Sequence, residues 1–193
     1  MSGVTSRHKE DKMGLRGRSL FDKQGNLYFI TTTIMNFDKI FALGNAYNNI
    51  AIDSIKYLLV EHSALLTAYV IMPHHIHMML YIPENESLID FMRDFKKYTS
   101  TQIRKQLEAD KNLVQLERLR ANSKKYPKQV FKLWEERYDD FVLYEDHAIQ
   151  QKFDYIHMNP VRAGLVENPE DWLYSSARNY ILKDNSIIEV TPI

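Results

Sequence analysis

The alternation of apolar and polar positions divides the chain into strands and helices. Leu27-Tyr-Phe-Ile-Thr-Thr-Thr-Ile34 is rich in β-branched and aromatic residues and predicts a first strand. Asn45 to His62 repeats apolar residues at helical spacing through Tyr47, Ile50, Ala51, Ser54 and Leu58, with Ile52, Ile55 and Leu59 widening the stripe. Leu65 to Met72 reads as a second strand, Pro73-His74 as a turn, and His75 to Ile82 as a third strand. The short link makes the last two antiparallel neighbours. Ser87 caps a second helix with Leu88, Phe91, Met92, Phe95, Thr99 and Ile103 on one stripe. Glu108 to Lys132 is helical at first and turns loop-like near Asn122-Ser123, and Phe141 to Leu143 is a short strand. A last long helix runs from His147 to Asn159, ended by Pro160.

The order β-α-β-β-α-β-α predicts an α+β fold, a ferredoxin-like or RRM-like antiparallel sheet with helices packed on one side. Three divisions follow: a flexible basic N-terminal arm (1–25), a catalytic domain (26–182) and a C-terminal tail (183–193).

Composition narrows the chemistry. The 193 residues contain no cysteine, so disulfides, thiolate metal sites and cysteine nucleophiles are excluded. Neither a signal-peptide core nor a run approaching the ~20 apolar residues of a membrane span is present, which predicts a cytoplasmic protein without membrane contact. Net charge is zero, but the charges are unevenly placed. Arg118 to Lys132 holds six basic residues and no acid, whereas Glu135 to Asp146 holds six acids against Arg137. Such a dipolar surface can still grip phosphate locally.

Two stretches carry candidate chemistry. On the third strand His75 and His77 are two residues apart, so their imidazoles share a face with Met79 and Tyr81, while Ile76, Met78, Leu80 and Ile82 form the opposite, core-seeking row. Paired imidazoles on a rigid strand are half of a divalent-metal site. On the last helix, Ile149, Phe153 and Ile156 form an apolar stripe, and Tyr155 falls on the polar side with Asn159 one turn later. A phenol ionises near pH ~10 and attacks poorly unless its proton is accepted or its target is polarised. A cation on His75 and His77 would polarise a phosphoryl oxygen, and Asn159 could add a third ligand. His157 lies roughly 160° from Tyr155 around the helix, which favours a structural role. Tyr98 borders the buried stripe of its helix and suits packing better than attack.

Met72-Pro-His-His-Ile-His77, followed by Phe153-Asp-Tyr-Ile-His-Met-Asn-Pro-Val-Arg-Ala-Gly-Leu-Val166 and Pro169-Glu-Asp-Trp-Leu-Tyr-Ser-Ser176, resembles the single-tyrosine HUH transposases. Within them the chain is most similar to the REP-associated branch related to IS200/IS605 elements. The resemblance implies that Tyr155 is the nucleophile, that His75, His77 and Asn159 hold Mg2+ or Mn2+, and that single-stranded DNA is cleaved through a 5′-phosphotyrosine and rejoined by transesterification. It also implies DNA with hairpin (REP or inverted-repeat) ends as partner, and either a homodimer or a lone protomer as the working unit. His74 stands where such enzymes often carry Asn or Glu. Candidate phosphate contacts are Arg16, Arg18, Arg93, Lys96, Lys97, Lys124 and Lys125. Two other readings are a non-catalytic RRM-like single-strand-binding module stacking bases on Tyr28 and Tyr81, and a hydrolase with a metal-bound water as nucleophile.

Overall fold

The computed structural model describes residues 25–124, 126 and 130–193. Its strands are β1 (Gly25–Thr33), β2 (Leu65–Met72), β3 (His75–Pro83) and β4 (Asp139–Val142), and its helices α1 (Asn45–Glu61), α2 (Leu88–Ala109), α3 (Leu113–Ser123), α4 (Asp146–Arg162) and α5 (Ala177–Ile181). The sheet order is β2-β3-β1-β4, every pair antiparallel, as in a ferredoxin-like fold. Ser87 accepts a hydrogen bond from the Asp90 amide at 3.2 Å and so starts α2 where the sequence predicts.

Alternation along the strands builds two cores, one on each face. Ile30, Ile76, Met78, Leu80 and Ile82 meet Ala51, Ile55, Phe91 and Phe95 of α1 and α2. On the other face Leu27, Phe29, Val70, Met79 and Tyr81 meet Ile149 and Ile156 of α4. Helices therefore cover both faces, not the single face predicted. The reason is visible in β2 and β3, where nearly every residue is buried, as in a sheet packed on both sides. That second layer also removes the open surface a stacking module would need: Tyr81 is buried, and the half-buried Tyr28 packs against the first core.

Two boundaries differ from expectation. Helix α4 continues past Pro160 to Arg162. A buried proline two residues from a helix end forfeits one amide donor, and the last turn still closes, with the Ala163 amide donating to Asn159 O at 3.0 Å. Gly164, at φ 67°, then turns the chain in the left-handed region. Residues 183–193 pack against the body of the protein: Ile188, Val190 and Ile193 are buried, and the Thr191 amide bonds Leu66 O at 2.8 Å. The expected arm, residues 1–25, lies outside the described residues except for Gly25, which stands at the head of β1.

Candidate active site

The site forms where the polar end of the β3 row meets α4. Pairing sets His77 opposite Thr31 on β1 and Val70 on β2, and sets His75 opposite Thr33 and Met72. The two imidazoles lie with ring centres 4.6 Å apart. Thr31 Oγ1 is 2.8 Å from His77 Nδ1. When that Nδ1–H donates to the hydroxyl, the free lone pair falls on Nε2, which is buried and has no hydrogen-bond partner. A buried nitrogen in that state ordinarily costs free energy, and a metal ion is one group that relieves it.

Helix α4 brings the phenol to these rings. Tyr155 packs edge-to-face on His77 at 5.1 Å and on Phe29 at 6.0 Å. It is half-buried against the sheet, not on a solvent face as the helical wheel suggests. The buried arc of α4 is wide because the helix touches two things. Ile149 and Ile156 face the sheet, while Phe153 and His157 meet Tyr180 of α5 at 4.7 and 5.6 Å. At about 100° per residue that arc spans roughly 200°, and Tyr155, Lys152 and Asn159 form one shoulder of it.

Asn159, one turn beyond Tyr155, hydrogen-bonds the His75 side chain. Burial, reinforced by the neighbouring His74 imidazole, lowers the His75 pKa to about 4. Burial, then His75 and Lys152, lowers that of His77 to about 3. Both rings are therefore neutral, the state in which imidazole ligates a metal. Among the described residues no three His or carboxylate side chains form a metal cluster, so two imidazoles and one amide are the donors on offer. Two imidazole nitrogens and one amide oxygen make a borderline donor set, which would hold a divalent ion that keeps water or a substrate oxygen in its remaining positions.

His157 is engaged elsewhere: its Nε2 lies 2.7 Å from Ser176 Oγ, which also accepts from the Tyr69 amide at 2.9 Å. His74 is half-buried, with its ring 4.5 Å from His75. Tyr98 is half exposed on α2, in the helix layer on the opposite face of the sheet.

The structure adds two cations that the sequence reading passed over. Lys152 Nζ lies 4.6 Å from the Phe29 ring centre, 5.5 Å from Phe141 and 5.7 Å from Tyr155. Arg162 Cζ is 5.7 Å from the same phenol ring. Their positions, three residues before Tyr155 and seven after, put them on its side of the helix, a spacing readable in the sequence once Tyr155 is the centre of attention. With the histidines neutral, these two side chains bring positive charge to the phenol, and phosphate is their natural counter-ion.

Most of the predicted phosphate contacts are not gathered here. Arg93 pairs with Asp90 and Asp94 on α2. Lys96 donates to the carbonyls of Glu135, Glu136 and Arg137, and burial lowers its pKa to about 8. Lys97 and Lys124 are exposed on α2 and at the end of α3. Arg16, Arg18 and Lys125 lie outside the described residues.

Comparison with known proteins gives a consistent result. Residues 42–159 match the family model described as "Transposase IS200 like". A Haemophilus influenzae protein named as a REP-associated tyrosine transposase is 29% identical over 153 residues, covering 79% of this chain and 80% of that one. A solved structure of a REP-associated tyrosine transposase bound to a REP hairpin aligns with a TM-score of 0.62 at 17% identity, over 88% of this chain and 94% of that chain. At that identity the structural likeness speaks for the fold.

Proposed function

We propose, from the premise that this chain belongs to the family of IS200-like transposases, that it nicks and rejoins single-stranded DNA beside a hairpin, with Tyr155 as nucleophile. The observation that carries this reading is the meeting of three groups: the Tyr155 ring on His77, the unpartnered Nε2 of His77, and the Asn159–His75 bond.

In the forward step the Tyr155 oxygen attacks phosphorus and its proton passes to water. The bond from phosphorus to the 3′ oxygen breaks, and that oxygen takes up a proton to leave as a 3′-OH. The 5′ phosphate stays on Tyr155 as a phosphotyrosine. Rejoining reverses the exchange with an incoming 3′-OH, so one phosphoester replaces another and no nucleotide triphosphate is consumed. Lys152 and Arg162 hold the phosphate oxygens against the phenol, which turns an encounter in solution into a positioned reaction. The Phe29, His77 and Tyr155 rings pack together and fix the orientation of the phenol that carries the attacking oxygen. A divalent cation such as Mg2+ or Mn2+, held by His75, His77 and Asn159, would supply Lewis-acid charge to the phosphate.

The test is a covalent one. Labelled hairpin-flanked single strands incubated with the protein and Mn2+ should yield a complex that survives denaturation, and Tyr155→Phe should yield none. Absence of any adduct with the wild-type protein overturns the nicking reading. Strand cleavage that persists in Tyr155→Phe would favour a metal-bound water as nucleophile instead.

A further inference from the structure

Immediately after β1 the backbone does something uncommon. Asn36 and Phe37 both have φ 56°, two consecutive residues in the left-handed region without a glycine between them. Asparagine tolerates that region, whereas a bulky aromatic residue there is an outlier. Strain of this kind persists only where the surroundings hold it, and it gathers at functional sites.

The surroundings here are specific. The Met35 amide donates to Leu133 O at 2.7 Å and the Asn36 amide to Glu135 Oε1 at 3.2 Å. Asn36 Nδ2 donates to Asn122 Oδ1 at 2.6 Å, and the Phe37 amide to Ile34 O at 3.0 Å. The residues on either side are locked as well, with the Ile34 amide on His74 O at 2.8 Å and Phe41 on Pro73 O at 3.1 Å.

This fixed backbone carries a large aromatic side chain out into solvent. Phe37 is 67% exposed, and its ring stands edge-to-face on His74 at 5.5 Å. From His74 the contacts continue to His75 at 4.5 Å and His77 at 4.6 Å, ending on the Tyr155 ring at 5.1 Å. A rigid, unburied aromatic two ring contacts from the candidate metal pair does nothing for the core. It has the form of a stacking surface for a nucleobase, whose flat π face suits it whatever the sequence.

We propose that Phe37 is a preformed platform on which a base adjoining the attacked phosphate stacks, and that the left-handed turn at Asn36-Phe37 is maintained to present it. The proposal rests on the nicking reading for its substrate and extends it to a base-binding position. Fixing the ring before DNA arrives removes an ordering cost from binding.

The experiment uses Tyr155→Phe protein with Mg2+, so that binding is read without cleavage. Hairpin-flanked oligonucleotides carry 2-aminopurine at successive positions around the cleavage point. One position should be quenched on binding. Phe37→Ala should abolish that quench and weaken affinity by roughly 5- to 150-fold, the range measured for loss of one base stack. Phe37→Trp should restore both and Phe37→Leu neither. Phe37→Gly separates function from architecture: it relieves the backbone, so the variant should melt no lower than its parent, yet bind as poorly as Phe37→Ala.

Unchanged affinity and quenching in Phe37→Ala and Phe37→Gly overturn the platform, even if wild-type protein forms its covalent adduct. Conversely, Phe37-dependent quenching without any adduct in the wild type leaves the platform standing and removes the nicking reading. No binding of any hairpin-flanked strand defeats both.

Discussion

The two faces of the sheet are made from the same strands and have opposite characters. Toward α1 and α2 the even-numbered residues of β3 are Ile76, Met78, Leu80 and Ile82, all buried among other apolar side chains. Toward α4 the odd-numbered row begins with His75 and His77, leaves a buried nitrogen unpartnered, and draws Lys152 among aromatic rings. The first face stabilises the fold, and the second sacrifices some stability to hold groups poised for another molecule. A period of two residues lets one strand do both.

The comparison is broken most severely at Tyr155. Tyr155→Phe should eliminate adduct formation while melting close to wild type, because the half-buried ring is kept and one hydroxyl is lost. A melting temperature that falls sharply would mean that the phenol belongs to the architecture. On the opposite face Met78→Ala should do the reverse, costing about 2–5 kcal/mol in urea unfolding, as a cavity among fully buried neighbours does, with residual activity tracking the folded fraction.

Next in size is Lys152. Lys152→Ala should slow adduct formation roughly 10- to 100-fold, the worth of one charge-assisted phosphate contact, while Lys152→Arg retains most of the rate. Equal rates in all three proteins would reduce Lys152 to an ammonium resting on rings.

Acid titration then sharpens the contrast. Burial lowers the pKa of His157 to about 4 from its usual 6.5. Between those values the unfolded chain binds more protons than the native one, so stability should be complete above pH ~6.5 and fall as pH drops toward 4. The slope is bounded by ~1.4 kcal/mol per pH unit for each such group. His75 and His77 add slopes of the same sign. Urea midpoints at pH 7 and pH 5 should thus differ less for His157→Gln than for wild type, and an equal difference would place His157 in a solvated setting.

The smallest effect is the most diagnostic of the two faces. His77→Leu should abolish activity yet raise metal-free stability by about 1 kcal/mol, since it removes an unsatisfied buried nitrogen. Millimolar Mn2+ should raise the melting temperature of wild type and leave His77→Leu unmoved. Destabilisation of the metal-free variant would show that the imidazole is already satisfied.

Much of this was legible in the sequence. The run Leu65–Met72, apolar but for Thr67, marks β2 to the residue, and the His75/His77 row follows from alternation alone. What escaped depends on tertiary neighbours. Tyr155 falls outside the narrow apolar stripe of α4, and only the presence of both sheet and α5 widens the buried arc to include it. Lys152 reads as a solvated helix lysine until the rings of Phe29 and Phe141 are placed around it. Thr31 and Ser176 partner histidines 46 and 19 residues distant, contacts with no local signature. The left-handed turn at Asn36-Phe37 defies prediction because the tolerance of asparagine for that region does not extend to the aromatic residue that follows it.

Gly25 ties these layers to one registration. A methyl group there would collide with the Ile82 carbonyl oxygen and sit 2.7 Å from the Tyr81 hydroxyl, so only a bare α-carbon admits the close crossing of the chain past Tyr81 where β1 begins to pair with the end of β3. That crossing starts the ladder whose far rungs are Thr31–His77 and Thr33–His75. An insertion of one residue between Gly25 and Thr31 would therefore act at a distance, turning threonine away from the imidazole while leaving every residue of the candidate site unchanged. The zipper at one end of the sheet is the alignment device for the histidine pair at the other.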